Sequence, residues 1–75
     1  MNPDDMRILT RMADTIRKRG TINIADLWKS TDLSIWKFNK YRPFLVNTFD
    51  DIELDRKKNY VSRNNISLFS KEELK

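Results

Sequence analysis

With 75 residues the chain has room for one domain, and its core must be thin, since a chain of this size buries only about 60% of the surface its unfolded form exposes. It contains no cysteine and no histidine, which rules out disulfides and thiolate zinc sites and removes the commonest metal ligand and general base. The net charge of +4 and a pI near 9.6 admit nucleic acid as a partner, whereas no apolar run approaches the roughly 20 residues of a membrane span.

The first helix is predicted from Pro3 to Arg19. Asn2 suits an N-cap, and Pro3 falls at the first helical position, where its missing N–H costs nothing. Asp4 and Asp5 complement the positive end of the helix dipole, Arg17, Lys18 and Arg19 the negative end, and Gly20 supplies the left-handed stop. Leu9, Met12, Ala13 and Ile16 follow the helical period and form the inward stripe, with Met6 at its edge. Thr21-Ile22 reads as a short extended piece able to pair with a later strand. A second helix is predicted from Ile24 to Ser30, capped by Asn23 with Asp26 three residues on, and stapled by Ile22 against Leu27.

After Thr31-Asp32-Leu33 a third helix begins with Ser34 as its cap and Leu33 stapled to Phe38. Phe38, Tyr41 and Leu45 share one face and should point inward. Pro43 lies within this helix. It removes a hydrogen bond and clashes with the carbonyl four residues earlier, so the helix either kinks near Asn39, the expected outcome, or ends and restarts around Arg42. Ile52-Glu53-Leu54 and Tyr60-Val61-Ser62 alternate across the polar run Asp55-Arg56-Lys57-Lys58-Asn59. That pattern reads as a β-hairpin with a basic tip, and Asn59 is the residue expected to take a positive φ. The domain is drawn at residues 1–64. Residues 65–75 form a C-terminal tail, with capping-box residues from Ser70 that allow a short helix. Leu9, Met12, Ile16, Leu27, Leu33, Phe38 and Leu45 are expected to be largely buried.

Charge is unevenly spread along the chain. Residues 1–34 hold six basic and five acidic side chains. Residues 35–48 hold Lys37, Lys40 and Arg42 with no acid, and residues 56–64 hold Arg56, Lys57, Lys58 and Arg63 with no acid. Between them Asp50, Asp51, Glu53 and Asp55 have neither calcium-loop spacing nor a glycine, and read as solvated.

The order helix, short strand, helix, tight turn, helix, hairpin resembles the winged helix-turn-helix superfamily of DNA-binding domains over about residues 5–63. The residues that carry the likeness are Asn23-Ile24-Ala25-Asp26-Leu27, Thr31-Asp32-Leu33-Ser34, and Phe38 with Tyr41 and Leu45. The chain departs from the pattern at Trp28, where members of that superfamily usually have a small residue, and at Asp32, where they usually have glycine. Trp28 then calls for a wider spacing of the second and third helices, or for an indole at the surface; its residue type favours partial burial. The resemblance implies an α+β, mostly α, fold of three helices with a small antiparallel wing. It also implies a docking geometry with the third helix in the major groove and the wing on the backbone or minor groove.

Subtracting the inward set leaves Ile35, Trp36, Lys37, Asn39 and Lys40 on the outer face of the third helix. Asn39 can pair with adenine, Lys37 and Lys40 can donate to guanine or to phosphate, and Ile35 or Trp36 can touch a thymine methyl. With Arg42, Arg56, Lys57, Lys58 and Arg63 in the basic blocks, the expected DNA-contacting set is Trp36, Lys37, Asn39, Lys40, Arg42, Arg56, Lys57, Lys58 and Arg63. The function expected is that of a sequence-recognising protein of double-stranded DNA, a transcriptional regulator in an intracellular setting, cytoplasmic or nucleoid-associated. No catalytic residue, cofactor, metal, membrane or small-molecule ligand is expected. A homodimer or protein partner stays open. The competing reading is a protein-interaction module of the same fold that uses the Ile35/Trp36 face, because tryptophan is enriched at interfaces.

Overall fold

The computed structural model describes residues 2–63; the expected tail at 65–75 and the helix from Ser70 lie outside the described residues. Three helices and a three-stranded antiparallel sheet follow in the order α1 (Pro3–Arg19), β1 (Thr21–Asn23), α2 (Ile24–Ser30), α3 (Ile35–Thr48), β2 (Ile52–Leu54) and β3 (Asn59–Ser62). The result is an α+β, mostly helical fold laid out like a winged helix.

Local chemistry explains each boundary. The Asn2 side chain accepts the amide of Asp5 at 2.9 Å at the start of α1. At its end Gly20 takes φ 78° and donates to the Ile16 carbonyl at 2.8 Å, a backbone state that glycine reaches without steric cost. The Gly20 carbonyl also accepts the amide of Ser62 at 2.9 Å, so the helix stop doubles as a sheet contact. Asn23 and Asp26 bond reciprocally across the first turn of α2, at 2.7 and 3.0 Å. The Ser34 hydroxyl accepts the Lys37 amide at 3.3 Å and opens α3.

Strand β3 is central. It pairs with β1 through Thr21↔Val61 and Asn23↔Asn59, and with β2 through Ile52↔Ser62 and Leu54↔Tyr60. The expected extended piece at Thr21-Ile22 is therefore a true edge strand.

Leu9, Met12, Ala13, Ile16, Leu27, Phe38, Tyr41 and Leu45 from the helices close over Ile22, Ile52 and Tyr60 from the sheet. Leu33 departs from expectation: it is only partly buried, because it lies in the α2–α3 turn at the margin of this cluster. Its carbonyl receives the indole N–H of Trp28 at 3.0 Å. Trp28 itself is half-buried against the core, so its bulk is absorbed by bridging the turn.

Pro43 does not end α3, which runs unbroken from Ile35 to Thr48. The acidic stretch also departs from expectation at Asp51. Its carboxylate is not solvated but takes Nε of Arg17 at 2.7 Å and a second guanidinium nitrogen at 2.9 Å, while Ser62 Oγ lies at 3.4 Å. This forked pair fastens α1 to the segment leading into β2.

Candidate nucleic-acid interface

Helix α3 and the β2–β3 hairpin carry the exposed cations that the sequence singles out. On α3 the burial of Phe38, Tyr41 and Leu45 fixes the rotation of the helix, which leaves Ile35, Trp36, Lys37, Asn39 and Lys40 exposed. Trp36 is 83% exposed, an uncommon state for a side chain that proteins usually bury well. Because α3 continues past Pro43, the outer face extends to Asn47, which lies on the same ridge as Trp36, Lys40 and Pro43 at helical spacing and is also exposed. On the sequence alone this face ends at Lys40. Carrying the period through the proline would have found Asn47.

Two contacts orient the helix. The Tyr41 hydroxyl donates to Asp5 Oδ1 at 2.5 Å, which ties α3 to α1 and raises the phenol pKa above its ordinary value, chiefly through that hydrogen bond. The Tyr60 hydroxyl on β3 reaches the Arg42 carbonyl at 3.5 Å, joining α3 to the sheet from which the wing extends. Burial raises the Tyr60 pKa, and the nearby positive charge of Arg42 opposes it. Arg42 is partly buried, and its charge lies close enough to the Tyr60 hydroxyl to act on it. The ammonium of Lys40 lies 5.7 Å from the centre of the Tyr41 ring.

The wing is built by Asp55. Its backbone carbonyl accepts the Lys58 amide at 3.0 Å, and its side chain accepts the amides of Lys57 at 2.9 Å and Asn59 at 2.8 Å. This closes a turn over Asp55–Lys58 and leaves Lys58, not Asn59 as expected, with the positive φ of 64°. The reason is register. Asn59 opposes Asn23 across the β1–β3 pair and its carbonyl takes the Asp55 amide at 2.9 Å, so it belongs to the strand and the left-handed state falls one residue earlier. Arg56, Lys57 and Lys58 are consequently all exposed at the tip.

The acidic side chains are largely engaged elsewhere. Asp51 and Asp14 hold Arg17, Asp5 accepts from Tyr41, Asp26 accepts from the side chain of Asn23 at the start of α2, and Asp55 is spent on the wing turn. Glu53 lies 3.5 Å from Arg63, whose guanidinium also donates to the Asp50 carbonyl, so this member of the expected set is already engaged. Among the described residues, none of the ion pairs involves Lys37, Lys40, Arg42, Arg56, Lys57 or Lys58. No protein-family model, curated protein or solved structure matches the chain. Among the described residues no trio of carboxylates is grouped to hold a metal ion, and no helix is long and apolar enough to cross a membrane.

Proposed function

We propose that this chain binds double-stranded DNA, with α3 in the major groove and the wing tip on the phosphate backbone or in the minor groove, and acts as a transcriptional regulator in the cytoplasm or nucleoid. One observation carries the reading. Six cations on α3 and the wing have no carboxylate partner among the described residues, while most of the acids serve contacts within the fold. Such a separation leaves a positive surface for phosphates although the net charge is only +4. On this reading Lys37, Lys40 and Arg42 with Arg56, Lys57 and Lys58 contact the backbone, and Asn39 reads a base. The work is binding alone, with no cofactor.

The test is binding of a random-sequence duplex followed by fluorescence anisotropy at several salt concentrations. With about five of these six cations on phosphates at once, log affinity falls with log salt at a slope of roughly −4 to −5. Replacing Lys57 and Lys58 by alanine weakens all duplexes alike and flattens that slope by roughly 2. Absence of duplex binding at about 50 mM salt, where electrostatic attraction is strong, would overturn the proposal. The exposure of Trp36 (83%) and Ile35 (43%) favours the second reading in that event: a protein-interaction module using the same helix face.

A further inference from the structure

Among the described residues the most exposed large apolar side chain is the indole of Trp36, and polar and charged side chains adjoin it on the helix face. Asn39 is three residues on and Lys40 four residues on, so both lie one turn above it on the same side of α3, and both are exposed. Trp36 is the second residue of the helix, and in a helix-turn-helix geometry the N-terminal residues of this helix approach the base edges.

An apolar surface at that place is selective. On the floor of the major groove each base pair presents hydrogen-bond donors and acceptors, and the 5-methyl group of thymine is the one apolar feature among the four bases. An indole laid against a polar base edge strips water from groups it cannot replace, and an unpaired buried donor or acceptor is costly. The same indole laid against a methyl group removes apolar surface from water on both sides. Asn39, one turn along, has the amide geometry that pairs with adenine N6 and N7.

We infer that Trp36 reads thymine 5-methyl groups, and that with Asn39 it directs the chain to duplexes containing A·T pairs. This rests on the proposed binding of duplex DNA. The methyl contact adds selectivity to an affinity that the cations supply, so it acts on base identity and leaves the salt dependence alone.

The discriminating experiment uses two duplex polymers that differ in a single group per thymine, alternating dA-dT and alternating dA-dU, at one salt concentration. One methyl contact predicts tighter binding to the dA-dT polymer by about fourfold, with equal salt slopes for both polymers. Trp36→Ala, at a position 83% exposed, should melt like the parent, bind both polymers, and lose the difference between them. Trp36→Leu, which keeps an apolar surface, should retain part of it. Equal binding of the two polymers by the parent chain, or a difference that survives in Trp36→Ala, overturns the inference while duplex binding stands. Failure to bind either polymer removes the duplex reading on which the inference rests, and with it the inference.

Discussion

Lys58 holds φ at 64°, a backbone state in which any side chain with a Cβ is crowded by the following carbonyl, at a cost of roughly 1–2 kcal/mol. Lys58→Gly should therefore raise stability by about 0.5–1 kcal/mol, part of the relief being returned as unfolded-chain entropy. Lys58→Ala keeps the Cβ and should not. Both variants lose the same charge, so thermal melts of the pair isolate the backbone term; equal melting would show that the wing tip does not hold this turn in solution. Asp51 is a second residue with consequences beyond itself. The guanidinium of Arg17 holds its carboxyl below the usual value of 3.8, with burial opposing. A carboxyl depressed in the folded state contributes stability above its unfolded pKa and loses it as pH falls through the folded one. Asp51→Asn should cost roughly 1–3 kcal/mol at pH 7, the range for a charged hydrogen bond. The gap to the parent should narrow below pH 4, since the parent then loses the same interaction. Urea unfolding at pH 7 and pH 3 measures this, and a gap that stays constant would remove the ionic clamp from the account.

Pro43 sets the character of α3 as an element. Its ring nitrogen cannot donate to the carbonyl of Asn39, yet Leu45 and Tyr41 on either side of it are buried and the helix continues to Thr48. Tertiary packing outweighs a local penalty of about 3 kcal/mol. Pro43→Ala restores the hydrogen bond, and urea unfolding should show a gain of about 1–3 kcal/mol with the helical circular dichroism signal preserved. A loss of stability would mean that Pro43 itself helps to seat Leu45 against the core. The hairpin is the opposite kind of element, short and dependent on one side chain, Asp55, for its turn. Its inner face is covered at Ile52, Tyr60 and Ser62. Leu54 shares the side of β2 with buried Ile52, but it lies further out along the wing and is 46% exposed.

For the whole molecule the balance is narrow, since a domain of this size has few core side chains to set against chain entropy. Leu45 is fully buried where α3 meets the rest of the core, so Leu45→Ala should cost about 2–5 kcal/mol. That loss leaves much of the population unfolded at room temperature by circular dichroism. Leu54→Ala should change stability by less than about 1 kcal/mol. A Leu45→Ala chain that melts like the parent would show that the core is not organised around α3. The same scale governs charge. Binding of Arg17 by Asp51 and Asp14, together with the burial of apolar side chains between helices and sheet, leaves the exposed cations of α3 and the wing on the outside of the fold.

Much of this arrangement is written locally. Asn2, Asn23 and Ser34 name the helix starts and Gly20 names a stop, because each satisfies or releases backbone groups within a few residues of itself. The period of Phe38, Tyr41 and Leu45 sets which side of α3 faces inward, and so which of Trp36, Lys37, Asn39 and Lys40 face out. The remaining features depend on partners far along the chain. Asp51 is read as solvated until α1 brings Arg17, 34 positions away in sequence, to within 2.7 Å. Asn59 looks like the turn residue until its pairing opposite Asn23 draws it into β3 and passes the positive φ to Lys58. Leu33 matches an inward staple, but the margin of the core, which no local pattern marks, leaves it half-covered. Local hydrogen bonding and periodicity determine the elements. Register, ion pairing across the fold and the limits of the core are decided only when the elements pack, because their energies depend on distances that sequence spacing does not contain.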